Sequence, residues 1–107
     1  MTGWVFLALA IGSEVGGTLA LRAAAAGRSL WYVAVAVGYL LSFVFLSSTL
    51  SHGVGLGVAY GIWAATGVAL TAVASRFLFG EALTRAMTFG IALVVVGVLL
   101  IEIGSGR

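Results

Sequence analysis

Residues 3–21 read GWVFLALAIGSEVGGTLAL, an apolar run broken near its middle by one carboxylate, Glu14. A helix rises 1.5 Å per residue, so about 20 apolar residues cross the roughly 30 Å of hydrocarbon in a bilayer. A charged side chain at that depth costs roughly 2.5 to 3.5 kcal/mol on insertion scales, and chains that keep one use it for an ion, a proton or a cationic ligand. Glu14 is therefore the first candidate functional residue.

Outward from this run, breaks in hydrophobicity divide the chain into four approximate spans, 3–21, 30–50, 54–75 and 86–103. The connections at 22–29, 51–53 and 76–85 are too short to hold a soluble domain, so residues 1–107 are expected to form a single transmembrane domain. The runs are continuously apolar, whereas strands of a membrane barrel alternate lipid-facing and lumen-facing residues, so helices are expected. Trp4, Trp31 and Tyr32 fall near span ends, where amphipathic rings anchor in the headgroup layer.

Composition narrows the function. The chain is 63% hydrophobic and 7% charged, more apolar surface than a soluble domain of 107 residues can bury. It lacks Cys, Asp, Asn, Gln, Lys and Pro and has one His, which excludes a disulfide framework and a metal-ligand cluster. The net charge of +2 arises from scattered Arg residues with no basic run, so nucleic acid is not an expected partner. No cofactor loop or nucleophile–base pair is visible, and Gly53-Val54-Gly55-Leu56-Gly57 lacks the strand and helix of a dinucleotide fingerprint, so an enzyme is not expected. Met1 to Trp4 carries no positive charge and Glu14 interrupts the apolar run, so the first span is expected to persist rather than be cleaved as a signal.

Helical spacing groups the candidate site. Ala10, Ile11, Gly17 and Thr18 share the face of Glu14 and leave room beside it, with Thr18 placed to hydrogen-bond the carboxylate. The second span aligns Tyr39, Ser42 and Phe43, and the third aligns Tyr60, Trp63 and Gly67. Aromatic faces attract cations when desolvated, and a carboxylate supplies the compensating charge. An aromatic stripe alone is ordinary core packing; its coexistence with Glu14 favours a box for bulky organic cations. Four helices this small enclose no large cavity, so a dimer is expected, with Gly90 and Gly97 as a packing seam or, alternatively, as contacts within one subunit.

Glu14 followed by Gly17 and Thr18, the segment Gly57-Val58-Ala59-Tyr60-Gly61-Ile62-Trp63, Gly67, and the Gly90 and Gly97 pair resemble the small multidrug resistance family over the whole chain. The resemblance implies an all-α membrane protein with four transmembrane helices per subunit in a dimeric, antiparallel bundle in the inner (plasma) membrane. It also implies antiport of protons against organic cations, with Glu14 shared by both and Tyr60 and Trp63 lining the substrate site. Tyr39 and Ser42 match second-helix site residues after a one-position shift, the usual Pro of the second loop is missing, and Ala65 stands where many relatives carry Gly, leaving Gly67 as the hinge candidate. The stretch from Glu14 to Thr18 is closer to the quaternary ammonium and polyamine branches than to the guanidinium branch.

Arg22, Arg28, Arg76 and Arg85 fall on one side of the expected topology against Arg107 on the other, which favours one orientation and termini outside. An antiparallel homodimer needs both orientations, so a heterodimer with an oppositely inserted relative stays open beside the homodimer. A non-transporting membrane assembly subunit and a cation channel are the other readings. Arg22 and Arg28 read as topology signals, Glu81 and His52 as solvated loop groups, and Glu102 as a span-end charge that reaches the interface.

Overall fold

A computed structural model describes residues 2–105; Met1 and Arg107, used above for the signal and orientation readings, lie outside the described residues. It contains four helices, α1 (Thr2–Ala25), α2 (Trp31–Ser51), α3 (Leu56–Phe79) and α4 (Arg85–Gly104), and no strand among the described residues. Each is long and apolar enough to cross a membrane.

The helix ends follow local chemistry. Gly27 in the first loop and Gly53 in the second adopt φ of 118° and 94°, values that favour glycine because it has no Cβ. Helix α3 continues past Arg76 through Phe77, Leu78 and Phe79, since a terminal Arg suits the negative end of the helix dipole; it stops at Gly80, a left-handed cap with φ 66°. The third loop is thereby shorter than the polar stretch in the sequence. Helix α4 starts at Thr84, whose hydroxyl accepts a hydrogen bond from the Met87 N–H at 3.2 Å.

Helix α1 is the centre of the subunit. It packs extensively along α2 and also against α3, while α4 touches only α3. The core where the first three helices meet comprises Leu7, Ala10, Leu46, Ala59 and Ile62, with Ile11, Phe45, Trp63, Val98 and Ile101 around it. The molecule measures 45 × 33 × 16 Å. Its thin dimension is about one and a half helix diameters, so one subunit is a slab with open faces. Phe77, Leu78, Phe89, Leu100 and Ile103 are exposed, as lipid-facing side chains must be.

Close approach of α1 and α2 depends on two glycines. A Cβ on Gly38 would lie 2.9 Å from the Gly17 Cα and 3.0 Å from the Ser13 carbonyl oxygen, and neither backbone atom can move aside. Small residues perform this role in lipid, where apolar surface alone does not drive helices together.

Candidate proton and cation site

Glu14 lies on α1, partly buried, at the level where α1 faces α3. Its Oε2 accepts a hydrogen bond of 2.9 Å from the Thr18 hydroxyl one turn further along the helix. Its Oε1 is buried and has no hydrogen-bond partner among the described residues. That oxygen rests against Gly67 of α3, where a Cβ would collide with it. Burial of this carboxylate against glycine leaves one oxygen unengaged.

The Thr18 hydroxyl also lies 2.6 Å from the Tyr39 hydroxyl on α2. A hydroxyl has one proton to give, so when Thr18 donates to Glu14 the tyrosine donates to Thr18. The relay Tyr39 to Thr18 to Glu14 thus joins α2 to the carboxylate. The Tyr39 ring packs over Gly17, where an added Cβ would stand 3.4 Å from it, about van der Waals contact.

A second cluster forms one turn away along α3. The Trp63 indole N–H donates to the Ser42 hydroxyl at 3.0 Å, and Ser42, fully buried, donates to the Ala10 carbonyl at 2.8 Å. These bonds link three helices through one hydroxyl. The Trp63 ring meets Phe43 edge-on at 5.6 Å and Tyr60 at 5.5 Å between centroids. Phe43 and Tyr60 are 59% and 55% exposed, so the aromatic group opens on the slab face instead of being sealed in the core. Trp63 and Gly67 are four residues apart and share a side of α3, which brings the aromatic cluster and the Glu14 oxygen onto neighbouring turns.

The remaining candidates take different places. Ala10 is completely buried beneath Ser42, and Ile11 packs against the core cluster. Gly90 and Gly97 on α4 have nothing within 4 Å of an added Cβ, so they make no close packing inside one subunit. Glu81 is not free: its Oε2 accepts from the Arg22 Nε at 2.8 Å, and the Arg22 guanidinium sits 5.4 Å from the centre of the Phe79 ring. Gly38 is not singled out by the sequence; a small residue beside Tyr39 is the available sign for it.

A groove of about 610 Å³ also runs between α1 and α2 along Gly16, Gly17, Val37 and Leu41. It has no charged lining residue and offers a cation no compensation.

Four apolar helices without a strand, most of their surface unburied, define a multi-pass membrane protein. The family model described as Small Multidrug Resistance protein matches residues 2–94. The chain is also 41% identical over 103 residues to Multidrug resistance protein EbrB of Bacillus subtilis (strain 168), an alignment that covers 95% of this chain and 87% of that one. The chain belongs to the small multidrug resistance family. It is a multi-pass inner-membrane transporter of that family, whose members act as oligomers.

Proposed function

We propose that this protein is a proton-coupled antiporter that exports organic cations, with Glu14 as the group that protons and substrate share. The observation that carries this reading is the Glu14 carboxylate itself: one oxygen held by Thr18, the other buried and unpartnered against Gly67. An isolated carboxylate in a low-dielectric setting requires either a proton or a compensating cation. A site that takes only one of them at a time couples their flows by competition.

Phe43, Tyr60 and Trp63 supply ring faces for an apolar cation, and Ser42 fixes the Trp63 indole that presents one of them. Thr18 and Tyr39 complete the lining of the same site, with Ala10 fully buried beneath Ser42 and Ile11 and Gly17 packed behind it. Alternating access comes from rocking the halves of a dimer about this level, with Gly67 as the hinge and Gly90 and Gly97 in the packing seam between subunits. Quaternary ammonium compounds and polyamines are the substrate classes to test first.

The experiment is reconstitution of the wild type and Glu14→Gln in vesicles, with cation uptake driven by a proton gradient. The wild type is expected to exchange and the variant to lose coupled exchange; retention by the variant would refute the reading. A second reading, pairing with an oppositely inserted relative, is favoured by the four Arg residues at the loop-one and loop-three end. Tags on the termini, mapped from both sides of the membrane, separate a fixed from a dual orientation.

A further inference from the structure

Helix α4 packs on α3 and makes no packing contact with α1 or α2, which leaves a wedge between its last turn and the first turn of α1. The wedge is a cavity of about 440 Å³ at the end of the subunit that bears the second loop. Trp4 of α1, His52 of the loop, and Glu102 and Ser105 at the end of α4 line it, with Val54, Val58 and glycine backbone completing the walls. Gly3 lets the loop close on α1: a Cβ there would lie 2.9 Å from the Val54 Cγ2 and 3.3 Å from the His52 Cβ. The His52 ring is fixed as well, 5.1 Å from the Phe6 ring, with Nδ1 2.7 Å from the Ser48 carbonyl. A carbonyl only accepts, so Nδ1 carries the proton and Nε2 of the neutral ring is an acceptor.

The chain has three acids. Glu14 belongs to the site already described and Glu81 pairs with Arg22, the one ion pair among the described residues, so Glu102 has no charged partner among them. Trp4, 38% exposed, brings into the same cavity the side chain that attracts cations best through its ring face. Arg22, Arg28, Arg76 and Arg85 stand at the opposite end of the helices, so the field of the subunit repels a cation there and draws it toward Glu102. Trp4 and Glu14 are ten residues apart on α1, about 15 Å of helix rise, and Glu14 does not line this cavity.

We propose that the wedge is a second, peripheral binding site for organic cations, which gathers them at the membrane surface bearing the second loop. The inference rests on the reading of the protein as an organic-cation exporter. A cavity of this volume is within the range that holds small organic ligands, roughly 300 to 1,000 Å³. The Glu102 carboxylate takes the charge, Trp4, Val54 and Val58 take the apolar substituents, and His52 Nε2 accepts from the N–H of a protonated amine. The carboxylate sits at the edge of lipid, where the low-dielectric side strengthens its attraction beyond that of an acid in bulk water.

The test places 5-fluorotryptophan in the full-length protein in a non-ionic detergent and follows the fluorine signals as tetraphenylphosphonium is added, with Trp4→Phe and Trp63→Phe assigning them. In the wild type both signals are expected to shift. Glu14→Gln should weaken the Trp63 response and keep the Trp4 midpoint within twofold. Glu102→Gln should weaken the Trp4 response at least tenfold at phosphonium concentrations that still saturate Trp63, and Glu102→Asp should restore it to within threefold. A Trp4 signal that stays silent in the wild type, disappears in Glu14→Gln or persists in Glu102→Gln overturns the site. A tenfold gain in Arg107→Gln would assign Glu102 to the chain's own cation, and displacement of phosphonium from Trp4 by added phosphatidylcholine would assign the wedge to a lipid ammonium group; either result overturns it too. A Trp63 signal indifferent to phosphonium in the wild type would sink the exporter reading, a different result from a silent Trp4 beside a responsive Trp63.

Discussion

Gly67 of α3 and Glu14 of α1 fit together as a missing side chain and a carboxylate: the space a Cβ would fill at Gly67 is occupied by Glu14 Oε1. The contact brings the acid near the middle of α1 against the helix that also carries Tyr60 and Trp63. It gives Gly67 a steric duty in addition to the hinge proposed for it.

Gly67→Ala is accordingly expected to displace the carboxylate. Inserting a methyl group into a packed interior typically costs about 1 to 3 kcal/mol. Thermal unfolding in detergent should fall, and proton-driven uptake should drop at least tenfold. Gly12→Ala, where nothing lies within 4 Å inside the subunit, is the matched control and should leave unfolding unchanged or slightly improved.

The Tyr39–Thr18–Glu14 relay separates two substitutions. Tyr39→Phe removes the outer donor and leaves the Thr18 to Glu14 bond intact, a loss of roughly 0.5 to 1.5 kcal/mol. Thr18→Val strands both the carboxylate oxygen and the tyrosine hydroxyl, which costs about 1 to 3 kcal/mol for each buried group left unpaired. Phosphonium affinity measured by calorimetry should change more in Thr18→Val than in Tyr39→Phe; the reverse order would remove Thr18 from its central place.

Ser42 holds Trp63 by accepting its indole N–H while donating to the Ala10 carbonyl. Ser42→Ala should release the ring and cost on the order of 1 kcal/mol in stability. Weaker cation binding and a shifted indole hydrogen-bond signature in the ultraviolet resonance Raman spectrum are expected. An unchanged spectrum would show that packing against Phe43 and Tyr60 is enough to fix the ring.

Gly38→Ala tests the α1–α2 seam. Its Cβ would press on the Gly17 backbone, so the helices must separate and take the Tyr39 hydroxyl away from Thr18. Destabilisation of about 1 to 3 kcal/mol is expected, with transport reduced alongside. Hydrogen exchange along α2 would show the loosening.

Four helices were legible because lipid imposes a simple rule: every span must be apolar, long enough and internally hydrogen-bonded. Glu14 stood out for the same reason, as a charge where charge is expensive. Helical periodicity placed Thr18 beside it and aligned Tyr60, Trp63 and Gly67, because neighbours on one helix are fixed by local geometry. The same rule says nothing about depth, azimuth or which helices touch. Glu81 is an exposed loop charge, as the sequence indicates, but its pairing with Arg22 from 59 residues away is not visible there.

The sequence by itself determined the membrane setting, the number of helices and the acid at their midst, since these depend on hydropathy and chain length. Only the tertiary structure decided that Gly67 receives the carboxylate and that Gly38 lets Tyr39 reach Thr18. Those facts depend on how close two helices approach and how each is rotated about its axis, quantities set by packing between distant segments and invisible to any spacing along one of them.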